Sequence, residues 1–251
     1  MSMLVLLHGA PGDGTLWKPV VDLLPPGVEA IAPTLRWFGP EPWHDDGAEF
    51  GTEAHAEELI ALLHGLAEPA AVAAWSYSTH PALLAMLRRP ELFQRSLLFE
   101  PGLPSYLDPA EAAAWADDAG SAFGPVAAKL AEEGAAAAVA ALFDASGGEG
   151  CWAALPDERR ARYLAGAETI RLLMGGGRPP AEIGAAELAR IDVPVTVAMG
   201  GRTRDLFAIP SRAVSRAIPK ARLEVVPAAD HMLPEKDPAA FAALLTEWLR
   251  R

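Results

Sequence analysis

Cysteine is almost absent: Cys151 is the only one in 251 residues. It cannot form an internal disulfide and has no partners at zinc-binding spacing, so a disulfide or zinc scaffold is excluded and a reducing compartment fits. Positive charge is also scarce. Lys and Arg total 21 against 33 Asp and Glu, a formal charge of -12, which would repel a polyanion, so nucleic acid is not an expected partner. No unbroken apolar run approaches the roughly 20 residues of a membrane-spanning helix. The opening MSMLVLLHGAPG has no basic segment and only a five-residue apolar run before Gly and Pro, unlike a secretion signal. These absences lead to the expectation of a cytoplasmic protein without a membrane partner. No period of 20 to 50 residues is visible, which removes solenoids and propellers.

What is present is globular in composition, with 51% hydrophobic and 22% charged residues, enough to bury a sizeable core in one large domain or a core with an insert. Short runs rich in Val, Leu, Ile and Ala alternate with longer amphipathic stretches. They fall at Met3–Leu7, Val28–Ala32, Ala70–Ala74, Ser96–Phe99, Val193–Met199 and Arg222–Val226. The runs lack polar alternation, as strands covered on both faces do, so an α/β fold with six parallel strands flanked by helices is expected. Between Phe99 and Val193 the alternation stops for far longer than an ordinary connection. The core is therefore assigned to 1–102 and 191–251, and 103–190 to a helical cap before the penultimate strand. Within it, helices are expected near Pro109–Ala119, Ala122–Glu133, Ala135–Phe143, Pro156–Met174 and Ala181–Arg190, with breaks at SGGEG and GGGRPP. Trp115, Phe123, Leu130, Trp152, Tyr163 and Leu172 provide its packing anchors.

Three strand ends carry the residues that could do chemistry. Ala70-Ala-Val-Ala-Ala-Trp-Ser-Tyr-Ser runs from an apolar strand into a helical stretch with Ser76 at the junction, where a sharp turn exposes a nucleophile. Small residues are needed two before and two after it; Ala74 and Ser78 take these places. Leu4-Val-Leu-Leu-His-Gly-Ala-Pro-Gly-Asp-Gly puts a glycine-rich loop after the first strand. Pro11 has no N–H, so the backbone amides of Ala10 and Tyr77 are the expected oxyanion donors. The loop lacks the third glycine of a dinucleotide fingerprint and any Gly-Lys-Ser/Thr, which disfavours phosphate cradling. His231 stands in a loop after the last strand, placed to act as a base towards Ser76, and the order nucleophile, acid, histidine is that of the α/β-hydrolases.

Taken together, HGAPGDG, WSYS and ADHMLPEKDPAAF resemble the oxyanion loop, nucleophile elbow and histidine loop of the α/β-hydrolase superfamily over essentially the whole chain. The resemblance implies the α/β-hydrolase fold, with the chain starting at what the family counts as its third strand, as in compact esterases and hydroxynitrile lyases. It implies a catalytic triad with an acid usually found in a Gly-x-x-Asp pattern after the penultimate strand. Counting from Gly200, that position holds Thr203, which carries no charge. Asp205 lies two residues on and would serve if the loop bulges. Glu100 ends the strand Ser96–Phe99, after which some members place the acid. The sequence leaves Glu100, Asp205 and no acid open, in that order of preference.

The functional expectation is a serine hydrolase of a small carboxylic ester, thioester or lactone, with Ser76 forming an acyl-enzyme, His231 as general base and no cofactor or metal. An Ala- and Leu-rich cap suits a small apolar acyl substrate. A lyase or carbon–carbon bond hydrolase on the same side chains is the alternative, and a non-catalytic ligand-binding member the second. His8 is expected to brace the oxyanion loop and His80 to pack beneath the elbow. His44, His55 and His64 have no metal-ligand spacing. Trp37, Phe38 and Trp43 either line a pocket or pack against the cap, and Asp230 is read as a turn residue. The oligomeric state is open, and an edge left by absent leading strands is one place where a homodimer could pair.

Overall fold

The computed structural model describes residues 3–251. Its centre is a six-stranded, wholly parallel sheet in the order β2-β1-β3-β4-β5-β6, with β1 Leu4–Leu7, β2 Ala30–Ile31, β3 Ala70–Trp75, β4 Phe93–Phe99, β5 Val195–Gly200 and β6 Arg222–Val226. All residues of β1, β3 and β5 are buried. That explains the continuous apolar runs: successive side chains point to opposite faces, and both faces are covered. Leu4 and Leu6 join Trp17, Trp75, Phe99 and Phe241 in one half of the core, whereas Val5 and Leu7 join Leu59, Leu83, Val197 and Val214 in the other. β2 has two paired residues where Val28–Ala32 was expected. At the opposite edge, β6 leaves Leu223 and Val225 exposed.

Seven helices of nine residues or more are found among the described residues: α1 Thr52–His64, α2 Thr79–Arg88, α3 Pro109–Glu132, α4 Ala135–Gly147, α5 Asp157–Ala165, α6 Asp205–Ala217 and α7 Pro238–Arg250. α1, α2 and α6 supply the Leu59, Leu83 and Val214 half of the core, and α7 supplies Phe241 and Leu245 to the other. None is long and apolar enough to cross a membrane.

The stretch between β4 and β5 contains α3, α4 and α5. Two expected helices fuse into α3, which runs through Gly120, Gly124 and Pro125. Weak helix formers are carried by packing here, because Ala119 and Ala122 are buried against Leu206 and Phe207. At its start Asp108 accepts from the amides of Ala110 and Glu111, both at 2.9 Å, and Glu111 completes a capping box. The expected helix Pro156–Met174 instead ends at Ala165, before Gly166, and resumes as short turns at Thr169–Arg171 and Leu172–Gly176. The last shrinks to Ala185–Leu188. One face of α5 ties the stretch to the core: Arg162 pairs with Asp13 at 2.6 Å, and Arg159 at 2.6 Å and the Tyr163 hydroxyl converge on Glu235.

Candidate active site

In a parallel sheet, the carboxyl ends of neighbouring strands open on one edge, so side chains just beyond them meet. Trp75 at the end of β3 lies beside Phe99 at the end of β4, and Ala198 of β5 beside Phe99. The next residues of β3 and β4 are Ser76 and Glu100. Both leave their strands in the left-handed region, with φ of 56° and 54°. Such backbone costs a non-glycine residue about 1–2 kcal/mol and persists where its surroundings over-determine it. At Ser76 it turns the strand abruptly into α2 and lifts the hydroxyl clear of the sheet.

The histidine loop returns across the sheet to the same edge. Ser76 Oγ is 3.0 Å from His231 Nε2, and His231 Nδ1 is 2.7 Å from Glu100 Oε2. Glu100 is wholly buried. An ionised carboxylate in that position needs donors, and it has three: the imidazole, the Gly200 amide on Oε1 at 2.7 Å and the Thr203 hydroxyl on Oε2 at 2.8 Å. A carboxylate only accepts, so the imidazole proton sits on Nδ1 and the lone pair of Nε2 faces the serine. The ring is fixed on two further sides. Phe207 stacks on it with centroids 3.4 Å apart and planes within 3°, and the indole N–H of Trp75 donates to the His231 carbonyl at 3.0 Å.

Two close approaches require glycine. A Cβ at Gly9 would come within 2.9 Å of the Trp75 ring and 3.2 Å of Ser76 Cβ, so the loop after β1 can lie against the elbow only without one. A Cβ at Gly200 would meet the Ala229 carbonyl at 2.3 Å, which lets the histidine loop settle on the end of β5.

Ala10 and Tyr77 line the cavity beside Ser76. Tyr77 is in the first turn after β3, where amides lack intrahelical partners. The cavity has a volume of about 250 Å³, and its walls are mainly apolar: Phe50 just before α1, Leu103 just after β4, Leu142 and Phe143 from α4, Ile170 and Met174 from the turns after α5. Its polar groups are few, and Ser146 is the one that α4 contributes. Among the described residues no group of three or more His, Cys, Asp or Glu is arranged to hold a metal ion.

The sequence-derived candidates fall into two groups. Ser76, His231 and Glu100 form one hydrogen-bonded chain, with Ala10 and Tyr77 beside it. Asp205 does not join them: it is exposed at the first position of α6, and the Nδ1 partner is Glu100. The loop does not bulge toward the histidine because Leu206 and Phe207 are buried just beyond Asp205 and anchor the helix start. Trp37 and Phe38 are not in the cavity wall. Phe38 packs among His8, Phe50, His55 and Tyr77, and the Trp37 carbonyl accepts from Thr169 of the inserted stretch. His8 takes the amide of Leu35 on Nε2 at 3.1 Å and donates from Nδ1 to the Gly9 carbonyl at 3.1 Å. Burial lowers its pKa to about 4, so it is neutral. His80, lowered likewise by burial to about 4, donates to the Ala181 carbonyl at 2.7 Å. Asp230 caps its own loop through the Met232 amide at 2.9 Å. Sequence reasoning missed Phe207 entirely and saw in Thr203 only a missing acid.

A family model described as the alpha/beta hydrolase family matches residues 4–244. No curated protein matches the chain. Among solved structures, a thermophilic esterase from Thermogutta terrifontis is 22% identical with a TM-score of 0.77, covering 100% of this chain and 90% of that one. The carboxylesterase CesB from Bacillus subtilis is 19% identical with a TM-score of 0.75, covering 99% and 83%. The enol-lactonase from Burkholderia xenovorans LB400 is 16% identical with a TM-score of 0.70, covering 100% and 92%. At such identities the structural likeness bears on the fold. The family match, by contrast, starts with the first residue of β1 and ends inside α7, taking in every strand and all the strand ends around Ser76: this chain belongs to the α/β-hydrolase family.

Proposed function

We propose that the protein is a serine hydrolase acting on carboxylic esters with an apolar acyl or alcohol group. The observation that carries this reading is the chain of bonds from Ser76 Oγ through His231 to Glu100, at 3.0 and 2.7 Å, opening on an apolar cavity. In the reaction Ser76 Oγ attacks the ester carbonyl and its proton passes to His231 Nε2. Glu100 stabilises the imidazolium so formed and keeps the ring oriented. The carbonyl oxygen becomes an oxyanion facing the amides of Ala10 and Tyr77; losing one such donor costs about 3–4 kcal/mol in comparable enzymes. The imidazolium returns the proton to the departing alcohol. Water then attacks the acyl-serine with His231 again taking the proton, which frees the acid and restores Ser76.

The structural neighbours include an esterase, a carboxylesterase and an enol-lactonase, which supports ester chemistry over the lyase alternative without fixing the substrate. The test is labelling by a fluorophosphonate together with hydrolysis of p-nitrophenyl esters from acetate to octanoate. Labelling that disappears in Ser76→Ala, with a burst of nitrophenol at high enzyme concentration, is the expected result. A wild-type protein that neither labels nor turns over any ester in the series removes the reading.

A further inference from the structure

Strained backbone at Ser76 would relax unless its neighbours prevented it, and the three residues that follow are each tied through their side chains. Ser78 Oγ donates to the His8 carbonyl, Thr79 Oγ1 donates to the Ser76 carbonyl at 2.6 Å, and the Tyr77 hydroxyl is 2.7 Å from His55 Nδ1. The second bond is turn chemistry, and the first ties the elbow to the loop that follows β1. The third reaches from the elbow to a different helix.

His55 lies on α1 and is wholly buried. Its Nε2 is 3.0 Å from the Arg36 carbonyl. A carbonyl can only accept, so the proton is on Nε2, Nδ1 offers a lone pair, and the Tyr77 hydroxyl donates to it. This is the tautomer opposite to that of His8. Phe38, Phe50, Trp37 and Tyr77 surround the ring with centroids 5.1 to 5.6 Å away, and burial lowers its pKa to about 4, which leaves it a neutral acceptor. One two-residue segment grips two buried histidines: the Leu35 amide bonds His8 and the Arg36 carbonyl bonds His55. The turn is set by Trp37, whose φ is 63°. His55 thus has both nitrogens committed, a fixed tautomer and a rigid cage, none of which packing alone requires.

We propose that His55 is a positioning residue for the reaction at Ser76: by holding the far end of the Tyr77 side chain it fixes the Ser76–Tyr77 peptide plane, and with it the direction of the amide that meets the oxyanion. The proposal rests on the reading of Ser76 as nucleophile. A tyrosine ring is a rigid lever with two torsions. Pinning its hydroxyl stops rotation of the residue whose amide must point into the cavity, and misplacement of about 1 Å at a reacting centre can cost about a hundredfold in rate.

The experiment compares wild type with His55→Phe, Tyr77→Phe, the double variant and His55→Gln on p-nitrophenyl butyrate. Affinity for a boronic acid, which becomes tetrahedral on the serine, is measured beside thermal stability. His55→Phe and Tyr77→Phe are each expected to lower kcat about ten- to a hundredfold with little change in KM. Boronate affinity should fall by the same factor, and the double variant should be no worse than the poorer single one. His55→Gln, which can accept from Tyr77 and donate to Arg36, should recover part of the loss. Tyr77→Phe removes one oxygen and decides the matter should His55→Phe not fold. Normal fluorophosphonate labelling of Ser76 with undiminished kcat in Tyr77→Phe overturns the role of His55 and leaves the nucleophile reading standing. A wild type that does not label overturns both.

Discussion

The two halves of the cavity wall are built on opposite rules. Below, at the strand ends, every functional group has a specific polar partner: Ser76 with His231, His231 with Glu100, Glu100 with the Gly200 amide and Thr203. Above, the helices between β4 and β5 offer Leu142, Phe143, Ile170 and Met174, side chains whose contacts are non-directional. Hydrogen bonds weaken steeply with geometry, whereas apolar burial scales with area. The lower wall therefore tolerates almost no displacement, and the upper wall can change shape by substitution without disturbing the bonds beneath it. On the proposed function, chemistry falls to the lower wall and discrimination between substrates to the upper.

The largest effect that would test this division is in the lower wall. Ser76→Ala is expected to lower kcat by about 10⁵–10⁶-fold, comparable to removal of a serine nucleophile elsewhere, while far-UV circular dichroism stays unchanged. Next, Glu100→Gln should cost about 10³–10⁴-fold, because the amide can present a donor to Nδ1 and impose the wrong tautomer. Asp205→Asn should stay within about twofold, having no bond to the imidazole to lose. Equal losses in the two acid variants, read as kcat on p-nitrophenyl butyrate, would break the comparison.

A third effect concerns stability rather than turnover. His8, His55 and His80 are all held neutral by burial, with pKa lowered from 6.5 to about 4. Below pH 6.5 the unfolded chain takes up protons that the folded chain refuses, so the fold loses stability as pH falls towards 4. Each histidine contributes a slope of up to about 1.4 kcal/mol per pH unit. Urea unfolding between pH 7 and 4.5 should show the decline, and His80→Phe, which lies outside the bonded triad, should flatten it. In the upper wall, Phe143→Ala is expected to cost about 3–5 kcal/mol of stability if the space stays empty. It should also shift the optimum along the p-nitrophenyl ester series to longer chains, while kcat on the best substrate falls less than for any lower-wall variant. A uniform drop across the series would show that the roof serves only to fold.

What could be read before the structure follows the same division. β1, β3 and β5 are legible because burial on both faces writes itself as unbroken apolar runs, β2 and β6 only through short runs of Val, Leu, Ile and Ala, and Ser76 and His231 are legible because a turn at a strand end leaves a local signature of small residues. Glu100 and Asp205 could not be separated by spacing, since the choice depends on which strand end lies next to β5 and on how firmly Leu206 and Phe207 pin α6. Thr203 shows why: its hydroxyl stands where an acid is usual and donates to the carboxylate that came from β4 instead. Phe207 and His55 left no signature at all, because stacking on an imidazole 24 residues away and bonding a tyrosine 22 residues away are products of the fold. The helices between β4 and β5 were legible in kind but not in extent. Pro125 and two glycines argue for a break that packing against Leu206 and Phe207 removes.

The left-handed backbone at Ser76 sets the proposed turnover against folding at a single residue. Exchange to glycine there would remove the penalty of about 1–2 kcal/mol on an L side chain and give back about 0.5–1 kcal/mol as extra chain entropy in the unfolded state. On the proposed function, a glycine at position 76 would discard the nucleophile while leaving the fold at least as resistant to unfolding, so the hydroxyl is held at a cost in stability.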